Sequence, residues 1–194
     1  MNDQHDLTVI LRSRFPVVAI ETHEERRVID LLERIANLEA QALFVWTVTD
    51  GLSRNGRDNS VPLTFEPMQA LRHIYKTTQN GIYALLDLHP FLDDPINQRL
   101  IKSIANDYQN SARTLVLVSH RIELPADISR LTARFSLTMP DANGMRQLAQ
   151  QEIDAWARRE GTKVKGSREA GNQLVQHLVG MSEGDARRLV RHAI

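Results

Sequence analysis

Apolar residues along this chain fall into two rhythms that alternate as far as residue 140. Val17, Val18, Ala19 and Ile20 form a short continuous run, the pattern of a parallel strand buried on both faces. Just beyond it, Val28, Leu31, Leu32, Ile35 and Leu38 recur at three- and four-residue spacing, the stripe of an amphipathic helix. The pair then repeats. ALFVWTVTDG, residues 42–51, predicts a second strand, rich in β-branched and aromatic residues and closed by Asp50-Gly51. A helix is predicted from about Glu66, with Pro67 in its first turn and Leu71, Ile74, Tyr75 and Thr78 on one face. Ile82–Leu86 reads as a third strand. Asp94 and Pro95 then open a helix that should bury Ile96, Leu100, Ile101, Ile104 and Tyr108. Thr114–Val118 is the fourth strand. In ARFSLTMP, Phe135, Leu137 and Met139 alternate with Arg134, Ser136 and Thr138, as on a half-exposed edge strand. Ahead of all this, Leu7, Val9, Ile10 and Leu11 predict a short helix on the first strand.

After Pro140 only the helical rhythm remains. Asp141–Arg159 should bury Met145, Leu148, Ala149, Ile153 and Trp156, and GTKVKGS reads as a basic, flexible connection. Two more helices follow, the last opening at Ser182 with Asp185 three residues on, an acidic variant of the capping box. The expected architecture is α/β. A five-stranded parallel doubly wound sheet occupies residues 1–140, and a small all-helical lid occupies 141–194. The polar stretch SRNGRDNS predicts a weakly tethered loop at Ser53–Val61.

Composition narrows the function classes. Lysine plus arginine and aspartate plus glutamate balance at 24 each, so bulk charge gives no argument for nucleic acid or an anionic membrane as partner. The absence of cysteine excludes disulfides and thiolate metal sites. No apolar run is long enough to span a bilayer, and MNDQHDLTVI lacks the pattern of a signal peptide. The expected location is cytoplasmic.

The turn between the first strand and its helix is where wound sheets hold phosphates on helix N-terminal amides. A phosphate-cradling turn reads GxxxxGK[ST], with glycines for close backbone approach and a lysine on the phosphates. Here it reads Glu21, Thr22, His23, Glu24, Glu25: no glycine, no lysine, and glutamates that repel a triphosphate. The chain is therefore expected to hold no cofactor of its own. A second set of candidates is His23, His89 and His120, which follow strands one, three and four and so share one edge of the sheet with Asp87 and Glu21. Three imidazoles and a carboxylate suit zinc with an open position, the basis for a metal-dependent hydrolase as an alternative function. Against it, histidines in loops commonly play no ligand role, and side chains at the end of a strand diverge. Arg187 and Arg188, in GDARRLVRH, predict a basic solvent-facing stripe.

Several phrases carry a family resemblance. Leu85-Leu86-Asp87, Val118-Ser119-His120, residues 128–141 and GMSEGDARRLVRHAI, taken in order, resemble the AAA+ ATPase plan. LRSRFPVVAIETHEERR, LFVWTVTDGL and LLDLHPFLDDP together resemble the N-terminal, P-loop-less domain of one AAA+ subgroup, the chloroplast hypothetical-reading-frame-like proteins with cyanobacterial and bacterial relatives. The likeness covers nearly the whole chain except residues 53–64.

The resemblance implies that Asp87 corresponds to a magnesium-holding aspartate, Ser119 to a polar sensor position, and Arg134, or less favourably Arg130, to an arginine finger. Beside these stand plainer readings: Asp87 caps the next helix, and Arg134 is a solvated edge residue. It further implies a non-catalytic domain serving assembly or regulation of an ATPase module beyond Ile194. ATP and magnesium would then belong to the parent protein, and a neighbouring module and further copies of the parent would be the partners. A clamp-loader-like subunit without a P-loop is the other alternative.

Overall fold

Side chains on a strand alternate between its two faces, and the core of this protein divides along that alternation. In a computed structural model of the chain, which describes residues 3–56, 60–162 and 167–194, β1 (Val17–Glu21) sends Val17 and Ala19 to one face and Val18 and Ile20 to the other. Helix α1 (Asp3–Arg12) and helix α2 (Glu25–Leu38) cover the second face through Leu7, Val28, Leu31, Leu32 and Ile35. The first face is covered by α3 (Pro67–Lys76), α4 (Pro95–Asn106) and the short α5 (Ala126–Ser129), through Leu71, Ile74, Ile101, Ile104 and Ile128. Both faces being covered explains the unbroken apolar runs of the inner strands β4 (Gly81–Leu86) and β5 (Arg113–Ser119).

The strand order is β3-β2-β4-β5-β1-β6, where β2 is Ala42–Thr47, β3 is Gly51–Arg54 and β6 is Thr132–Phe135. Only the β2–β3 pairing is antiparallel. The five expected strands are present and parallel, and β3 is a sixth from the stretch read as loop. Its hairpin turn carries Gly51 at φ 70°, a left-handed position that suits glycine. Beyond it, Trp46 donates from Nε1 to the Thr64 carbonyl (2.6 Å), and Thr64 Oγ1 accepts from the Leu52 amide (2.8 Å), pinning the hairpin to the chain that follows. Of the expected loop, residues 57–59 lie outside the described residues, as do residues 163–166 of the basic connection.

Several boundaries and faces differ from expectation, and the second strand, expected over 42–51, ends at Thr47. β6 stops at Phe135, and Met139 is 64% exposed, because β1 ends at Glu21 and leaves no partner strand to pair with further on. Tyr75 and Ile96 fall on the outer sides of α3 and α4. Thr78 lies beyond the end of α3, so the buried face of that helix is Ala70, Leu71 and Ile74.

The fold divides into two compact units, Met1–Leu137 and Thr138–Ile194. The second consists of α6 (Ala142–Glu160), α7 (Arg168–Leu178) and α8 (Glu183–Ala193) around Met145, Leu148, Val175, Leu178, Ala186 and Val190. Each helix starts at a side-chain cap: Asp141 on the Gly144 amide, Ser167 on Ala170 and Ser182 on Asp185. Such caps contribute about 1 kcal/mol apiece. Among the described residues no helix is long and apolar enough to cross a membrane.

Candidate functional site

The carboxyl ends of β1, β5 and β4 lie side by side, with Glu21 level with Ser119 and Leu86 level with Val118. The ladder continues one step past the strands, through Thr22 N–H to the Ser119 carbonyl (2.8 Å) and Asp87 N–H to the Val118 carbonyl (2.9 Å). These bonds deliver Glu21, Asp87, Ser119 and His120 to one edge. Neighbouring strands carry them there, although they are far apart in sequence.

At the end of β1 the connection to α2 is three residues, Thr22, His23 and Glu24. Thr22 Oγ1 accepts the Glu24 amide at 2.9 Å and closes the turn on itself. Glu24 stands at the helix N-cap without a side-chain cap, and its carboxylate pairs with Arg27 at 3.0 Å. Glu21 turns toward the outer strand, where its Oε1 accepts from the Ile122 amide (3.1 Å) and from Arg134 Nη1 (2.9 Å). The Ile122 hydrogen bond first, and Arg134 after it, hold the Glu21 carboxyl below the usual carboxylate range. Arg134 also donates to the Ile122 carbonyl at 3.3 Å and keeps about half its side chain in water. Arg130 is exposed at the end of α5. A loop able to wrap a triphosphate uses glycines for close backbone approach and a lysine on the phosphates, and this turn has neither. The residues present do not fit ATP and magnesium at this position.

The ends of β4 and β5 are built differently. Ser119, 1% exposed, donates its hydroxyl to Asp87 Oδ1 at 2.7 Å. Ser119 Oγ also stands 2.8 Å from His89 Nδ1 and 3.4 Å from His120 Nδ1. Asp87 has φ 51°, a left-handed backbone uncommon for a residue with a side chain. His89 opens a single 3-10 turn, His89–Phe91, and its ring meets that of His120 edge-on with centroids 4.9 Å apart. His23 stacks on His120 at 5.8 Å. Of the three histidines singled out in the sequence, His89 and His120 join Asp87 in a group whose donor atoms lie within 4.8 Å of one another. His23 is a neighbour of that group, and Glu21 is committed elsewhere. Asp94, not Asp87, caps the next helix, accepting from the Ile96 and Asn97 amides.

Two features escaped the sequence reading. Arg113 is 1% exposed at the start of β5, donating to the carbonyls of Ile74 (2.7 Å), Tyr75 and Thr77 (3.1 Å) and pairing with Asp107. It caps the carboxyl end of α3, where free carbonyls and the helix dipole favour a cation. In the second unit, Glu152 on α6 binds Arg187 and Arg191 of α8, each at 2.6 Å. Arg187 is therefore not part of the expected solvent stripe, whereas Arg188 is 79% exposed and bonds Asp185 on its own helix. Arg191 first, then Arg187, hold the Glu152 carboxyl below its usual range. Only the burial of Glu152 beside Ile153, invisible in periodicity alone, distinguishes the two arginines.

Two family models match the chain, one for each of its units. Residues 3–137 match the model of the SpoVK-like AAA ATPase N-terminal domain, and residues 143–194 match that of the second domain. An uncharacterized AAA domain-containing protein, ycf46, from Guillardia theta is 30% identical over 127 residues, 64% of this chain and 25% of that protein. Its counterpart in Pyropia yezoensis is 25% identical over 143 residues, 72% of this chain and 29% of that protein. The match thus spans less than a third of the length of these relatives. Among solved structures, one described as the structural basis for katanin self-assembly superposes with a TM-score of 0.59 at 15% identity, over 96% of this chain and 66% of that one. The structure of C. elegans PCH-2 gives 0.60 at 10% identity, over 96% and 59%. At such identities these two likenesses concern the fold. With both of its units matched, the chain belongs to the SpoVK-like AAA ATPase family.

Proposed function

We propose that this chain is a non-hydrolytic AAA-type domain that supports the assembly or regulation of an ATPase module in a longer parent protein. The observation that carries this reading is the three-residue turn after β1, with Glu21 held by Arg134 and the Ile122 amide where a phosphate loop would need glycines and a lysine. ATP and magnesium then belong to the parent's other module, and the partners are that module and further copies of the parent.

A domain without its own phosphate site still has an outer strand to offer a neighbour. Arg134 lies on β6, at the end of the sheet. Its pair with Glu21 is about half in water, and exposed pairs of this kind are worth roughly 0–1 kcal/mol. Exchange of Glu21 for a neighbouring phosphate therefore costs little, while an arginine on a transferring phosphate lowers the barrier strongly. In the full-length parent, Arg134→Ala should lower ATP turnover well beyond any loss of folding, with Arg130→Ala as the control. Unchanged turnover in an assembly shown to be intact removes the trans-acting role of Arg134 and leaves a scaffold.

A further inference from the structure

The ends of β4 and β5 hold a second kind of chemistry, independent of the phosphate turn. Two imidazoles and one carboxylate converge there on a buried hydroxyl. The Ser119 proton goes to Asp87, so Ser119 Oγ can only accept from His89, whose Nδ1 must carry hydrogen at 2.8 Å. That fixes the tautomer and leaves the Nε2 lone pair of His89 for another partner. Ligand histidines in metal sites are oriented in this way, by a hydrogen bond on the nitrogen that does not touch the metal. His120 is exposed, and Asp87 keeps 57% of its side chain in solvent, so a cation can approach. The left-handed backbone of Asp87 is a local cost that helix capping does not explain, since Asp94 performs that task.

We propose that Asp87, His89 and His120 bind one divalent transition-metal ion of the zinc class, with Ser119 as a positioning residue for His89. Two nitrogen donors and one carboxylate oxygen match catalytic-type zinc sites, which keep a fourth position for water. They do not match magnesium, which takes oxygen donors. One ligand atom from each of the three residues lies within 4.8 Å of the other two, with His89 Nδ1 3.6 Å from Asp87 Oδ1; donors around a tetrahedral zinc stand roughly 3.3 Å apart, so binding through His89 Nε2 requires the site to close. Rotation of the exposed Asp87 and His120 side chains supplies that closure. The ion would tie together the ends of two adjacent strands, with His23 stacked on His120 outside the ligand set.

The test is calorimetric titration of the 194-residue chain with zinc chloride, and separately with magnesium chloride, beside visible absorption after addition of cobalt(II). One zinc ion per chain with micromolar or tighter affinity is expected, no magnesium binding, and the bands of tetrahedral cobalt. His89→Ala and His120→Ala should each weaken zinc at least 100-fold, and Ser119→Ala by about 10- to 100-fold with an unchanged melting temperature. His73→Ala, on the exposed side of α3, should change nothing. Absence of zinc binding, or affinity that persists in the His89→Ala/His120→Ala double variant, overturns the proposal. Should the alanine variants unfold, the cobalt spectrum of the unaltered chain decides: octahedral bands, or none, count against the site.

Discussion

Strand β5 begins with a charged residue and ends with a polar one, and the two ends treat them in opposite ways. Arg113 at the start is sealed from solvent and takes up the last carbonyls of α3 together with Asp107. Ser119 at the finish is equally buried, but Asp87 and His120 beside it are exposed and His89 is half-buried. At the first end the acceptors are three backbone carbonyls and Asp107, so the cluster holds the sheet to a helix. At the second, Asp87 and His120 are exposed around a single buried hydroxyl. The two apolar layers and contacts of the former kind hold the sheet's shape without drawing on the groups at its carboxyl edge.

The sharpest way to break that contrast is at Arg113. Arg113→Ala removes the donor to three backbone carbonyls and to the part-exposed Asp107, and the loss of such hydrogen bonds from a buried guanidinium should cost on the order of 1–3 kcal/mol. A chemical denaturation series on the N-terminal unit's transition should show that loss. A shift below about 1 kcal/mol would mean that water replaces the guanidinium and that the two ends of β5 are alike.

Glu21 provides the small effect at the other end. Its pair with Arg134 is half exposed, so Glu21→Gln should cost less than about 1 kcal/mol at neutral pH. The sign of its pH dependence follows from the lowered folded value. The contribution of the ionised carboxyl is fully present above its unfolded value near 4.5 and is lost as pH falls through the lower folded value. Unfolding midpoints of wild type and Glu21→Gln measured downward from pH 7 should therefore converge in acid. Divergence toward low pH would contradict the assignment.

The legible part of this structure is the part that repeats. β1, β4 and β5 are apolar runs because both faces are covered, and Asp94, Asp141 and Ser182 act as helix starts where the sequence places them. β3 was not legible, since GLSR has one buried large apolar side chain, Leu52, and becomes a strand only by pairing with β2. β6 is shorter than its pattern predicts, because alternation through Leu137 and Met139 continues after the partner strand has ended. At the candidate site, the sequence put His23, His89 and His120 at one edge. The selection of His89 and His120 with Asp87 depends on the Ser119 hydroxyl, whose contacts are set by adjacent strands. Arg113 carries no signal in the sequence, because its acceptors come from α3 and from Thr77 at the end of that helix.

The central claim is that the edge beside β1 no longer serves nucleotide. Titration of the 194-residue chain with ATP and magnesium in a calorimeter tests it most directly, because it needs neither a partner nor turnover. The expected result is no binding up to millimolar nucleotide, since Thr22, His23 and Glu24 offer neither glycine nor lysine and Glu21 is held by Arg134 and the Ile122 amide. Micromolar binding would contradict the account and would place a phosphate site elsewhere on this chain.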